Sequence, residues 1–160
     1  MTQPPQKHIL IDGYNVIRRT PALANAERKS LENGRSALLL QLRARYATAP
    51  FNITVVFDGS GLTETKEQQG CLQVIYTASG VSADQRMVEL VAAARARKET
   101  AVVVTDDNEI RKAIHPHAPH ATSHSAIDFG QSINAAPKLL QKQYKHRAAV
   151  KKLLQKDSDY

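Results

Sequence analysis

Residues 8–13 read His-Ile-Leu-Ile-Asp-Gly, a short apolar run that ends abruptly at an Asp-Gly pair. Residues 53–59 show the same pattern, Ile-Thr-Val-Val-Phe-Asp-Gly, and 72–76 and 101–104 are two further short apolar runs. Runs of this length, bounded by turn residues, are typical of strands that are buried on both faces of a parallel sheet. The sequence therefore predicts four such strands.

Two segments between these strands have apolar residues at helical spacing. They are Leu31, Leu38, Leu42 and Tyr46 in the first segment, and Met87, Leu90, Val91 and Ala94 in the second. Ser82 and Gln85 have the spacing of a capping box and mark the start of the second helix. Strands that alternate with helices form a parallel sheet with helices on both faces, because parallel strands need crossover connections. We therefore expect one doubly wound α/β domain.

The composition of the 160-residue chain, 42% hydrophobic and 23% charged, is that of an ordinary globular domain. Its apolar runs are far shorter than the ~20 residues of a membrane span. Residues 1–7 are polar, unlike the apolar stretch of a secretory signal, so we expect a cytoplasmic protein with no membrane partner. Cys71 is the only cysteine, which excludes an intramolecular disulfide and a cysteine-based zinc site.

The positive charge is concentrated near the C-terminus. Lys and Arg number 22 against 15 Asp and Glu, and the net charge is +7. Segment 137–156 contains seven basic residues and no acid, so it accounts for the whole net charge. Leu140, Tyr144 and Ala148 recur at spacing four after Pro137, which predicts a helix with basic faces. We expect a globular part at 1–136 and a basic helix and tail at 137–160 that packs on the same domain.

Such a basic helix favours an acidic partner, and nucleic acid is the interpretation that we prefer over a merely solvated helix. The residues expected to contact RNA are Lys138, Lys142, Lys145, Arg147, Lys151 and Lys152.

Acidic residues follow the predicted strands. They are Asp12, Asp58, Asp106 and Asp107, directly after strands, and Asp84, in the first turn of the helix after the third strand. The carboxyl ends of parallel strands open onto one edge of the sheet, where ligands bind, so these carboxylates should converge. Converging carboxylates repel one another unless a cation lies among them, and hard divalent cations prefer oxygen ligands. The sequence therefore predicts a site for one or two Mg²⁺ or Mn²⁺ ions, of the kind that cleaves phosphodiesters.

Each acid also has a purely structural interpretation. Asp12 and Asp58 precede glycines and could form turns, and Asp84 could complement a helix dipole. Asp106 or Asp107 could cap the helix that contains Ile110 and Ile114. No phosphate-binding loop or dinucleotide-binding glycine motif occurs in the chain.

Four histidines lie close together: His115, His117, His120 and His124. Imidazole is a common ligand of zinc and nickel, but Pro116 and Pro119 interrupt any helical register and the spacing matches no known ligand pattern. We favour an ordinary surface loop over a metal site here.

Four stretches taken together resemble the YacP-like NYN domain family of PIN-like nucleases. They are Ile9–Ile17, Val55–Gly59, Ser82–Asp84 and Val103–Asp107, and their order and spacing agree over nearly the whole chain. The resemblance implies a three-layer α/β/α fold with a mainly parallel sheet. It also implies a metal-dependent endoribonuclease whose substrate class is mRNA, including mRNA on ribosomes.

On the family pattern, Asp12 and Asp84 would be metal ligands, and Asn15 would orient an acid or contact a phosphate. The family often has Ser-Asp-Arg after the fourth strand, where this chain has Asp106, Asp107 and Asn108. By register, Asp107 matches the family's acid. Asp106 is an additional carboxylate that either binds metal or caps a helix.

We therefore predict an endoribonuclease in which Asp12, Asp84 and Asp107 hold the metal and Asp58 and Asp106 support them. One alternative is a non-catalytic RNA- or ribosome-binding module, whose RNA binding would survive chelation. Another is a DNA nuclease, which a comparison of RNA with matched DNA would distinguish through the 2′-hydroxyl group.

Overall fold

Six strands form one sheet in the computed structural model, which describes residues 6–106, 108, 110, 112 and 122–134. The strands are β1 (Lys7–Asp12), β2 (Asn52–Phe57), β3 (Thr65–Gln69), β4 (Leu72–Tyr76), β5 (Thr100–Val104) and β6 (Thr122–His124). Their order across the sheet is β3-β4-β2-β1-β5-β6. All neighbours pair in parallel except β3, which is antiparallel to β4. The four predicted strands and the mainly parallel sheet are confirmed.

Helices cover both faces of this sheet. They are α1 (Gly13–Arg19), α2 (Pro21–Lys29), α3 (Leu31–Tyr46), α4 (Ala83–Ala96) and α5 (Ala126–Asn134). The two predicted helices are α3 and α4. Oγ of Ser82 accepts a hydrogen bond from the N–H of Gln85, and Oε1 of Gln85 accepts one from the N–H of Ser82, so the predicted capping box is present.

The apolar residues of the sheet divide into two cores because successive side chains of a strand point to opposite faces. Ile9 and Ile11 of β1 pack with α1, α2, α3 and α5 on one face. Leu10, between them, packs with Met87 and Val91 of α4 on the other face. The three-layer α/β/α arrangement is therefore confirmed.

The sequence patterns did not predict strands β3 and β6 or the exposure of Leu31. Strand β3 reads Thr-Lys-Glu-Gln-Gln, and it lies at the edge of the sheet without a buried residue, so it has no apolar run to signal it. His124 belongs to strand β6 and not to the surface loop predicted for the four histidines. Leu31, expected on the inner side of α3, is the first residue of that helix and is 51% exposed.

Some predictions lie outside the described residues: the basic helix of 137–160, Asp107, and the histidines at 115, 117 and 120. The division into 1–136 and 137–160 stays a prediction. Among the helices that the structure describes, none combines the length and apolar character of a bilayer span.

A polar network connects β1, β2 and the start of β5 near the amino ends of these strands. His8 is 7% exposed, and its Nδ1 lies 3.0 Å from Oε2 of Glu99 while its Nε2 lies 2.8 Å from Oγ1 of Thr54. Glu99 also accepts hydrogen bonds from Nε and Nη2 of Arg97, at 3.0 and 3.2 Å. This network joins β1 and β2 to the segment that leads into β5.

Replacing Glu99 should make the free energy of unfolding fall less steeply as the pH is lowered. The hydrogen bonds from Arg97, and then that from His8, lower the pKa of Glu99 despite partial burial. A depressed folded-state pKa contributes stability that is present above the unfolded pKa of ~4.3 and is lost as pH falls through the folded pKa. We expect Glu99→Gln to flatten the acid limb of stability measured by urea unfolding. Glu89→Gln, at a 64% exposed side chain of α4, is the matched control; equal acid slopes for Glu99→Gln and wild type would contradict the prediction.

Candidate active site

Asp12 is the last residue of the central strand β1 and is only 7% exposed. Helix α1 begins at the next residue, so Asp12-Gly13 forms a strand-to-helix junction rather than the simple turn considered above. A Cβ atom at Gly13 would collide with the ring of Phe57, so only glycine lets the first turn of α1 pack on that ring. The carboxylate of Asp12 does not cap α1.

Asn15 connects this junction to the end of β5. Its Oδ1 accepts a hydrogen bond from the backbone N–H of Asp106, at 3.1 Å, across 91 residues of sequence. This contact fixes the backbone of Asp106, the residue before the predicted metal ligand Asp107.

Asp58 follows β2, and its Oδ1 accepts a hydrogen bond from the N–H of Ala83, at 2.8 Å. Ala83 is the first residue of α4, so Asp58 fixes the start of the helix whose first turn contains Asp84. The backbone after Asp58 is also fixed, because Gly59 N–H donates to Oγ1 of Thr77 at 3.1 Å. Asp58 thus stabilises the start of α4, in addition to the role in the metal site that is predicted for it.

Asp106 makes a similar contact on the other side of Asp12. Its Oδ1 accepts a hydrogen bond from the N–H of Ala126, at 2.9 Å, and Ala126 is the first residue of α5. The structural alternative considered above was a cap by Asp106 or Asp107 on the helix of Ile110, which stays a prediction; the contact with α5 is a further one. No local pattern indicates it, because the two residues are 20 apart.

The sheet places these acids on one edge. Asp12 lies opposite Val56 of β2, and Ile11 lies opposite Val104 of β5, so Asp12 stands between the strands that precede Asp58 and Asp106. Neighbouring strands are about 4.8 Å apart. Asp84, half-buried, joins them from α4, which packs across β1, β2 and β5.

The donors at this edge are oxygen atoms, from carboxylates and the amide of Asn15, and oxygen donors suit Mg²⁺ and Mn²⁺. Within 6–106, 108, 110, 112 and 122–134, no three His, Cys, Asp or Glu side chains form a group that could hold a metal ion by themselves. A third ligand beside Asp12 and Asp84 would come from Asp107, which stays a prediction, as do the catalytic roles of all five acids and of Asn15.

Sequence reasoning missed a cluster of aromatic and basic side chains beside this edge. Tyr14, Phe57 and Tyr76 form a row, with ring centroids 5.0 Å apart in an edge contact and then 5.6 Å apart in a stacked one. Arg35 donates a hydrogen bond from Nη1 to the hydroxyl group of Tyr14, at 2.9 Å. Cζ of Arg35 lies 5.8 Å from the ring centroid of Tyr76. Cζ of Arg18 lies 5.2 Å from the ring centroid of Tyr14. Tyr14 follows a recognised motif, whereas nothing in the sequence associates it with Arg35.

These groups keep definite charges at neutral pH. Burial works against the charged form of Arg35, but the hydrogen bond and attraction from Tyr14, with smaller contributions from Tyr76 and Glu32, outweigh it and raise the pKa. Burial raises the pKa of Tyr76. The cluster therefore presents a permanent cation beside a neutral phenol.

A family model for the YacP-like NYN domain matches residues 9–159. The chain is 34% identical over 127 residues to the "Uncharacterized protein YacP" of Bacillus subtilis (strain 168), and the match covers 77% of this chain and 65% of that protein. The chain thus spans slightly less than two thirds of the relative's length.

Two crystal structures of Rae1 (YacP) from Bacillus subtilis have a similar fold. One matches with a TM-score of 0.67 and 25% identity over 93% of this chain and 82% of the other. The W164L mutant matches with a TM-score of 0.69 and 22% identity over 90% and 85%. Since the family model covers nearly the whole chain, and the motif around Asp12 lies at the centre of the shared sheet, this protein belongs to the YacP-like NYN domain family, a nuclease-type family of the PIN-like class.

Proposed function

We propose that this protein is a metal-dependent endoribonuclease that hydrolyses internal phosphodiester bonds of RNA. The observation that carries the proposal is Asp12, a nearly buried carboxylate at the end of the central strand, within the residues that the family model matches. Proteins bury a carboxylate only where hydrogen bonds or a cation offset its desolvation, so this position suits a ligand of a divalent ion.

In this proposal Asp12, Asp84 and Asp107 hold one or two Mg²⁺ or Mn²⁺ ions. Bound divalent ions supply an activated water and stabilise the charge of the leaving oxygen. Asn15 holds the backbone before Asp107 through Asp106 N–H, and Asp58 holds the first turn of α4, which contains Asp84. The supporting residues thus position the ligands in addition to any direct contact with the metal.

The basic segment 137–156 would bind the RNA backbone, and mRNA on the ribosome is the substrate that we propose. Neutralising phosphates with lysine and arginine releases counterions, so binding should weaken steeply as salt rises. The ribosome as a partner is part of the same proposal, because its surface is also rich in RNA phosphates.

The test is cleavage of end-labelled single-stranded RNA by the full chain, with and without ribosomes, in Mg²⁺, Mn²⁺ or EDTA. We expect internal cleavage that requires a divalent ion and stops in EDTA. Matched DNA should be cut more slowly if the 2′-hydroxyl group is recognised. RNA binding that survives EDTA, with no cleavage in either metal or with ribosomes, would overturn the proposal in favour of a binding module.

A further inference from the structure

A cleft of about 500 Å³ opens beside the carboxyl edge of the sheet, on the side of β2 and β4. Its walls include Tyr14 and Arg18 of α1, Arg35 of α3, Tyr76 of β4 and the loop 58–61. Asp58 is the only acidic residue among the described residues that line it, and Asp58 is also the point at which the cleft meets the carboxylate edge. A volume of this size accommodates a small organic ligand, and hence a nucleotide unit.

Arg35 is held in this cleft as a cation without a carboxylate partner. Its contacts are the hydroxyl group of Tyr14 and the ring of Tyr76, with a longer-range attraction from Glu32. None of the ion pairs among the residues that the structure describes includes it. A half-buried guanidinium that is oriented by aromatic groups but not neutralised can accept an anion, and its planar shape suits a phosphate.

Arg18 supplies a second cation on the same wall. Its side chain is 62% exposed, and it reaches Glu27 only through Nε at 3.4 Å while its Cζ lies over the ring of Tyr14. Although Glu27 is only 18% exposed, the pair depends on this one long contact, so a phosphate can compete for the exposed guanidinium of Arg18. Arg18 and Arg35 thus both contact Tyr14, Arg18 at the ring and Arg35 at the hydroxyl group.

Three residues that carry hydroxyl groups also line the cleft: Ser60, Thr63 and Thr65. The loop is braced by the hydrogen bond from Gly59 to Thr77 and by a bond from Ser79 N–H to the carbonyl of Gly61, at 2.7 Å. A Cβ atom at Gly59 would collide with the carbonyl oxygen of Thr77, so this close approach requires glycine.

A second cleft continues from Arg35 and Tyr76 along α3 to Arg43. This continuation also contains Glu32 and Glu67, so its charge is mixed. Arg35 lies where the two clefts meet, and of the two only the first has a single acid, Asp58, among its described lining residues.

We infer that the cleft of Arg18, Arg35 and Tyr76 binds the RNA strand on one side of the cleaved bond, with the two arginines on its phosphates. The inference rests on the proposed function, since it takes the carboxylate edge as the place of cleavage. The occupant is single-stranded, because a cleft of this size admits single nucleotides and not a duplex. This second basic surface is far in sequence from segment 137–156.

The test measures binding of a short fluorescent single-stranded RNA by anisotropy in EDTA, where cleavage cannot occur. We expect Arg18→Gln and Arg35→Gln each to weaken binding about tenfold, the effect of one charge-assisted hydrogen bond. Each should also reduce the slope of log affinity against log salt by about 0.7. Arg45→Gln is the matched control, because Arg45 is exposed on the same helix, about 15 Å beyond Arg35, and does not line either cleft.

Arg18 is exposed, so we expect Arg18→Gln to keep the fold. Arg35→Gln loses the hydrogen bond to Tyr14, which can destabilise the protein. Thermal unfolding of both variants is therefore measured alongside RNA binding. Wild-type affinity in Arg18→Gln and Arg35→Gln, or equal weakening in Arg45→Gln, would overturn the inference while leaving metal-dependent cleavage by the wild type intact. Weakened binding in the two variants, with no cleavage by the wild type, would support the cleft as an RNA site and remove the proposed nuclease activity.

Discussion

Asp12→Asn should lower the rate of metal-dependent RNA cleavage at least about a hundredfold and leave the fold intact. Loss of a residue that only orients a metal ligand typically costs 10–100-fold, and a direct ligand should cost at least as much. Asparagine has the same size as aspartate, so the packing at the end of β1 is preserved while the negative charge is lost. The measurement is kcat/KM for labelled RNA in Mn²⁺, together with calorimetric titration of Mn²⁺.

Asp58→Asn is the matched control for this prediction. Its amide keeps an oxygen that can accept the hydrogen bond from Ala83, and the exposed position of Asp58 tolerates the change. Because this oxygen keeps the start of α4 in place, we expect a much smaller loss of activity and of Mn²⁺ affinity than for Asp12→Asn. Full activity of Asp12→Asn would show that cleavage takes place elsewhere in the chain; equal losses in the two variants would assign Asp58 to the metal site as well.

Phe57→Ala should destabilise the protein by about 3–5 kcal/mol, the usual cost of truncating a buried phenylalanine. Phe57 has no exposed surface, and its ring lies between those of Tyr14 and Tyr76. The same ring packs against Gly13, so its loss leaves a cavity under the first turn of α1. For a chain of this length we expect the melting temperature to fall by about 10 °C.

Phe51→Ala is the comparison for Phe57→Ala. Phe51 is half-buried, and its ring centroid lies 6.4 Å from that of Tyr46 at the other end of the sheet, so its truncation should cost less. Thermal and urea unfolding of both variants measure the difference. A loss for Phe57→Ala no larger than that for Phe51→Ala would mean that the aromatic row does not support the junction of β1 and α1.

Interactions between residues close in sequence made much of the fold predictable. The apolar runs of β1, β2, β4 and β5 and the capping box of α4 appear in the sequence because burial and capping are local requirements. The position of Asp12 at the carboxyl edge follows from the same runs, because parallel strands end together. Strand β3 could not be found in this way, since an exposed edge strand needs no apolar residue.

The sequence by itself thus determined the layers of the fold, its family motif and the edge of the sheet where the acids lie. Only the tertiary structure decided that Asp58 holds α4 and Asp106 holds α5, and that Arg35 lies against Tyr14. The physical reason is that these contacts join residues 25, 20 and 21 positions apart, which carry no mutual periodicity. Each depends on how strands and helices pack, so it exists only once the sheet has assembled.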